Sequence, residues 1–288
     1  MGGLLKLKGK TMKKIIQILI TAAFVLFFGI FEVSMGVPIG YVIDGDVSDW
    51  GIDLFAASSK GYLDSHLPSG GLDIDYITED NAYNGSSWQY VGPGWTYQNY
   101  FDAEAIYFDN DQDYAYIAII QGLPEEGYDP PGNPVNGNYS YMFKPGDIAI
   151  DVDGDSVFEY GLKVRGEDGF QQGYLYSVSS WKNVHYSQHN IANPWVINAG
   201  TKKGAVSFVY STEINSHYVL EAAIPLDLLG LDANTAHSLQ IHWTQECGND
   251  YLTLKADVNP VPEPATMLLL GIGLAGLGLF GRRFRKKV

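Results

Sequence analysis

Asp151-Val152-Asp153-Gly154-Asp155-Ser156-Val157-Phe158-Glu159 is the stretch of this 288-residue chain whose residue types and spacing best suit chemistry. Three carboxylates stand at alternate positions, a glycine supplies a sharp turn, and a fourth carboxylate follows. Calcium takes six to eight oxygen ligands at about 2.3–2.6 Å, and alternate residues of a loop can aim their side chains at one point. The pattern is not an EF-hand, because glycine falls at the fourth position rather than the sixth and the twelfth residue is Leu162. The flanking residues have strand character. The stretch therefore reads as a hairpin loop that holds calcium through Asp151, Asp153, Asp155 and Glu159. The plainer alternative is an Asp-Gly turn with solvated acids.

Other reactive residues are sparse. The chain has no Gly-x-Ser-x-Gly elbow, no His-Glu-x-x-His and no Walker loop. His185 and His189 are four apart, but residues 183–193 do not read as a helix that would aim both at zinc. Cys247 with His242 has the residue types of a nucleophile and base, and a small buried thiol is the simpler reading. Acids are so abundant that no pair singles itself out for glycoside hydrolysis. The chain is expected to be non-catalytic. Sugar binding would instead need exposed aromatic platforms beside polar side chains. Trp50 and Trp243 lie in strand-like contexts and read as core. Trp88, Trp95, Trp181 and Trp195 lie among Gly, Asn, Ser and Pro and read as loop residues, with Trp181 and Trp195 the first choice for a glycan. The alternative is loops packed down by their own aromatics.

The elements that must position these residues read as short strands. Alternation or β-rich runs fall at 39–43, 104–108, 114–120, 147–152, 158–164, 173–178, 205–210, 218–224, 239–244 and 251–255. Asp109 to Asp113 reads as a hairpin turn, and Pro225 to Leu229 as one helical turn. The pattern predicts an all-β chain, a single jelly-roll-type β-sandwich with long loops. The sole cysteine, Cys247, excludes an intrachain disulfide, so stability rests on a core or on metal.

Both ends read as addresses. Lys13 and Lys14 precede an apolar run from Ile15 to Phe31, with small residues at Ser34 and Gly36, which predicts a signal peptide over 1–36. Met12 is an alternative start. At the other end, Val261-Pro262-Glu263-Pro264 precedes 17 uncharged residues, Ala265 to Gly281. That is near the lower limit of roughly 17–25 residues for a spanning helix. Five Arg/Lys residues follow at 282–287, and by the positive-inside rule they stay in the cytoplasm. The predicted organisation is a signal peptide (1–36), a sandwich (37–257), a Pro-rich linker (258–264), a transmembrane segment (265–281) and a basic tail (282–288). The whole chain has net charge −15; residues 37–260 hold eight Lys/Arg against 31 Asp/Glu, a net charge of −23. Such a domain repels nucleic acid, whose recognition needs basic patches.

Two resemblances add to this reading. The tripartite tail resembles the PEP-CTERM sorting signal of Gram-negative bacteria, which implies recognition by an exosortase. The signal residues would be Pro262, Glu263, Pro264, Arg282 and Arg283. Ile43-Asp44-Gly45-Asp46 with Asp49-Trp50, then Asp102-Ala103-Glu104-Ala105-Ile106-Tyr107-Phe108-Asp109 followed by Tyr114-Ala115-Tyr116-Ile117-Ala118-Ile119, then Tyr218-Val219-Leu220-Glu221-Ala222-Ala223-Ile224-Pro225 resemble, in order, segments of family 9 carbohydrate-binding-like and DOMON-like sandwiches, and together they span most of the domain. Residues 242–250 resemble the last hairpin of sandwich proteins with this sorting tail. The resemblance implies a sandwich that often binds calcium and sometimes sugars, and it makes Glu104 a second candidate calcium ligand. An ordinary polar residue on a strand face is the alternative for Glu104.

The expected protein is an exported, surface- or matrix-targeted, calcium-stabilised module that binds extracellular polysaccharide. Its partners would be a sorting protease, the membrane before processing, and a glycan. The alternatives are a structural or adhesive protein without a small ligand, and a polysaccharide-acting enzyme.

Overall fold

The computed structural model describes residues 40–55, 67–69, 73–78, 82–83, 88–89, 100–129 and 141–260. Its strands in chain order are β1 (Asp75–Thr78), β2 (Ala82–Tyr83), β3 (Trp88–Gln89), β4 (Ala103–Asn110), β5 (Tyr114–Gln121), β6 (Ile148–Asp151), β7 (Tyr160–Leu162), β8 (Tyr174–Lys182), β9 (Val196–Ala205), β10 (Ser207–Tyr210), β11 (Tyr218–Pro225), β12 (His237–Thr244) and β13 (Tyr251–Val258). One helical turn, α1 (Leu226–Leu229), ends at Gly230, whose φ of 73° suits a residue without a side chain. Among the described residues no helix is long and apolar enough to cross a membrane.

Two antiparallel sheets make a β-sandwich. One has five strands in the order β1-β4-β5-β11-β10, the other six in the order β13-β12-β6-β7-β8-β9, and β2 and β3 form a separate ribbon. Between the sheets, Ile106, Phe108, Ile117 and Ile119 of the first meet Ile148, Ile150, Leu175, Ile241, Trp243 and Leu254 of the second in one apolar cluster. Side chains alternate across a strand, so the neighbours of these residues point the other way. On the five-stranded sheet that outer face is also buried. Ala105, Tyr107, Ala118, Ile120 and Val219 pack under Tyr41, Val47, Trp50, Ile52 and Leu54. Burial on both sides explains why β4 and β5 read as near-continuous apolar runs rather than as clean alternation.

The covering segment corrects one expectation. Residues 40–43 are not a strand. They begin an irregular cover that lies flat on the sheet, with Trp50 fully buried and stacked 3.9 Å from the Tyr41 ring. Glu221 of β11 holds the cover down. Its Oε2 accepts the backbone N–H groups of Asp44 and Gly45 at 3.0 and 2.9 Å, and its Oε1 accepts the Trp50 indole N–H at 2.9 Å. Three donors that the cover brings against the sheet thus have an acceptor. Gly45 sits at φ 83°, and a Cβ there would come within 2.8 Å of Ser211, so the turn requires glycine.

Four strands were not legible in the residue pattern: β1, β2, β3 and β9. β1, β2 and β3 are short, and β9 carries Asn198, Gly200, Lys202, Lys203 and Gly204, none of them typical of strands. β9 is an edge strand, bulged against β8 at three places. The β4–β5 hairpin turn forms where expected, with Asp111 Oδ1 accepting the N–H groups of Asp113 and Tyr114, both at 2.8 Å.

Candidate metal centre

The acid loop joins β6 to β7, neighbours in the six-stranded sheet. Asp151 ends β6 and is fully buried. Both its oxygens are used within the protein. Oδ1 accepts the N–H groups of Asp153 (3.1 Å) and Gly154 (2.7 Å). Oδ2 accepts the Ser156 N–H at 2.7 Å and the Gln240 side-chain amide at 3.1 Å. The chain can wrap one carboxylate this tightly because Gly154 and Ser156 take left-handed conformations, φ 76° and 71°.

The remaining acids commit one oxygen each. Asp153 Oδ1 accepts the Asp155 N–H (3.2 Å), Asp155 Oδ1 the Val157 N–H (2.8 Å), and Glu159 Oε2 the Val152 N–H (3.1 Å). One carboxylate oxygen from each of Asp151, Asp153, Asp155 and Glu159 lies within 4.8 Å of the others. Partial burial raises the pKa of Glu159, against the Val152 hydrogen bond, and the charges of Asp151 and Asp153 add to the rise. A divalent cation at the convergence point would reverse that repulsion. The donor set is all oxygen and suits a hard cation. Asp151 anchors the loop, while Asp153, Asp155 and Glu159 each have a second oxygen that the loop's own hydrogen bonds leave over.

Gln240 of β12 was missed in the sequence. It lies between Leu239 and Ile241, which face the core, so it must point to the opposite face. Its amide reaches Asp151 Oδ2 and, at 3.3 Å, the Gly154 carbonyl, tying the loop to the sheet. β12 alternates polar and apolar residues, so nothing local sets Gln240 apart from His242 or Thr244.

Glu104 does not join this cluster. It is fully buried in β4, with its Oε2 2.9 Å from Nε2 of His217, also buried. Burial works against the imidazolium, but the hydrogen bond and charge of Glu104 outweigh it and raise the His217 pKa. The pair joins β4 to the approach of β11 inside the protein, which corrects the alternative reading of Glu104 as a polar residue on an outer face.

The tryptophans are placed unevenly. Trp181 lies in strand β8 rather than in a loop, half-buried, with its indole N–H donated to the Phe158 carbonyl at 3.0 Å. Its ring covers Gly161, where a Cβ would come within 2.6 Å of it. Trp195 is only 9% exposed and packs with Val184, Ala192 and Val196, so the loop that carries it is folded onto the protein. Trp88 lies in β3, and Trp95 falls outside the described residues. Trp50 and Trp243 are core, as expected. Beside the acid loop, Phe158, His242 and Tyr251 form a line of rings, with centroids 5.5 and 5.9 Å apart.

The two reactive pairs considered from sequence are accounted for otherwise. Cys247 is buried, and burial pushes its thiol up to about 12, far from a thiolate at neutral pH. His242 bonds Thr253 Oγ1 at 2.8 Å and the Ala192 carbonyl at 3.0 Å, and burial pulls its pKa down to about 4. His189 is buried with Nδ1 2.9 Å from the Cys247 carbonyl, while His185 is exposed.

The expected signal peptide (1–36), the expected transmembrane segment (265–281) and the residues Pro262, Glu263, Pro264, Arg282 and Arg283 lie outside the described residues. No curated protein and no solved structure matches the chain. The likeness to carbohydrate-binding-like and DOMON-like sandwiches therefore rests on the quoted segments alone. Residues 260–286 do match a known family, the PEP-CTERM protein-sorting motif, which marks the chain as an exosortase substrate, exported and sorted to the cell surface after C-terminal membrane anchoring.

Proposed function

We propose that this exported protein is a non-catalytic module of the cell surface or its polysaccharide matrix, stabilised by calcium at the acid loop. The observation that carries the reading is the convergence of Asp151, Asp153, Asp155 and Glu159, each offering an oxygen within 4.8 Å of the rest. Asp153, Asp155 and Glu159 would hold the ion with the oxygens their loop bonds leave over, and backbone carbonyls and water would complete the six to eight ligands. The ion would fix a loop that otherwise concentrates like charge, and so hold β6 and β7 in register. A glycan would lie on the adjoining outer face, where Phe158, Tyr251 and the edge of Trp181 offer rings near the polar groups of the loop. Glu104, held by His217, serves the interior.

The test is thermal melting of the exported domain in calcium and in chelator. Metal that binds only the folded state must raise the midpoint, by about 2.7 kcal/mol of stability at a hundredfold excess over Kd. The expected result is a rise of several degrees, absent in Asp153→Ala/Asp155→Ala. An unchanged midpoint at millimolar calcium would overturn the metal reading and favour a structural surface protein without a small ligand. Glycan arrays, run with calcium and with chelator, then test the adjoining face.

A further inference from the structure

The folded domain ends in a clamp. β13 runs to Val258, which is fully buried. Asn110, the last residue of β4 and 4% exposed, then grips the backbone of Asn259 on both sides. Its Oδ1 accepts the Asn259 N–H at 2.8 Å, and its Nδ2 donates to the Asn259 carbonyl at 3.0 Å. The side-chain amide thus imitates a neighbouring strand and continues the pairing of β13 by one residue. Two residues earlier, Asp75 Oδ2 accepts the Asp257 N–H at 2.8 Å. Both stitches reach from the five-stranded sheet to β13, an edge strand of the six-stranded one.

The place of the clamp gives it meaning. The matched sorting motif begins at residue 260, directly after the clamped Asn259. Only Pro260 and Val261 separate Asn259 from Pro262. Enzymes that take a chain as an extended strand recognise it largely through backbone hydrogen bonds. Residues 260–264 contain three prolines, which lack the N–H, so only Val261 and Glu263 can donate there. The next donors upstream are Asn259 and Val258, and the clamp and β13 already use them.

From this we infer that Asn110 is a positioning residue for sorting: by closing the last residue before the signal, it rations the slack that the exosortase can draw from the domain and sets the rate of processing. Asp75 supports it one step upstream. Release of Asn259 by local fraying precedes productive engagement, and the fraction frayed limits the rate.

The experiment follows tail removal from the full-length chain by pulse-chase in a host carrying the cognate exosortase. Asn110→Ala removes both bonds to Asn259 and is expected to speed processing about tenfold, the scale of two hydrogen bonds. Insertion of Gly-Ser-Gly-Ser between Asn259 and Pro260 supplies slack by another route and should speed it similarly. In the inserted chain Asn110→Ala should add nothing. Wild-type rates in both single variants would overturn the inference. So would an Asn110→Ala effect that persists undiminished in the inserted chain, since that would arise from general destabilisation. Should Asn110→Ala fail to accumulate, the insertion alone decides: an unchanged rate rejects the inference.

Discussion

The two sheets of the sandwich turn different outer faces to their surroundings. On the five-stranded sheet, the segment from Tyr41 to Leu54 lies over Tyr107, Ile120 and Val219, and Glu221 saturates the donors that this cover brings inside. On the six-stranded sheet, half-buried Phe158, Trp181 and Tyr251 lie beside the acid loop, whose Asp153 and Asp155 are exposed. The three segments that resemble known sandwiches meet on the first face, since Asp44, Gly45 and Trp50 contact Glu221 and Trp50 lies 6.4 Å from the Tyr107 ring. What those segments encode is closure of a second apolar layer. The acid loop belongs to the other sheet, between the quoted segments rather than in one of them.

Breaking each face in turn should expose this division. Trp50→Ala empties a fully buried site and should cost about 4 kcal/mol in denaturant unfolding, whereas Trp181→Ala, half-buried, should cost about half as much. Equal losses would mean that the two faces are closed alike.

The faces should also answer to pH with opposite signs. On the six-stranded sheet, burial depresses the His242 pKa from 6.5 to about 4. The stability due to its neutral form is complete above 6.5 and is lost as pH falls through about 4, a loss of about 3 kcal/mol that His242→Gln should abolish. Near the covered face, burial raises Asp109 from 3.8 to about 6, opposed by the hydrogen bonds of Tyr41 and Asn110. Its protonated form is the favoured one, so the contribution is complete below 3.8 and fades as pH rises through about 6. The change is at most about 3 kcal/mol and should be missing in Asp109→Asn. Stability measured against pH for the two variants checks both signs.

A smaller contrast lies within the acid loop itself. In chelator, Asp151→Ala strips three backbone N–H groups and the Gln240 amide of their acceptor and should cost about 1.5 kcal/mol. Asp153→Ala under the same conditions should change stability by less than about 0.5 kcal/mol, since its side chain is exposed and accepts one long hydrogen bond, from the Asp155 N–H at 3.2 Å. Similar losses in both would make the loop a purely structural turn.

The acid loop was legible because alternation of Asp with a glycine is a local pattern, and local patterns survive in a sequence. Nine of the strand expectations fall on observed strands for the same reason, and α1 follows Pro225 as read. Three features were not legible. Residues 40–43 look like a strand because Tyr41, Val42 and Ile43 are an aromatic and two β-branched residues in a row, but they serve to lay Tyr41 on a sheet, not to pair backbones. Trp195 stands beside Asn193 and Pro194 and so reads as an exposed loop residue, yet Val184, Ala192 and Val196 enclose it. The partners of Glu104 and Glu221 lie more than a hundred residues away, at His217 and at 44–50. Nothing near either glutamate in the chain announces whether it will be a surface charge, a ligand or an internal clasp.

The lysines of β9 have a consequence for life in a crowded layer. A free sheet edge is a template on which another chain can add a strand, and a protein sorted to a surface accumulates beside many copies of itself. Lys202 and Lys203 stand on that edge, with their ammonium groups 4.0 and 6.0 Å from the centres of the Tyr174 and Tyr160 rings, and the β8–β9 bulges bend the strand. Charge and curvature make the edge a poor template. The composition that hid β9 from a reading of the sequence is the kind that blunts an edge against strand addition.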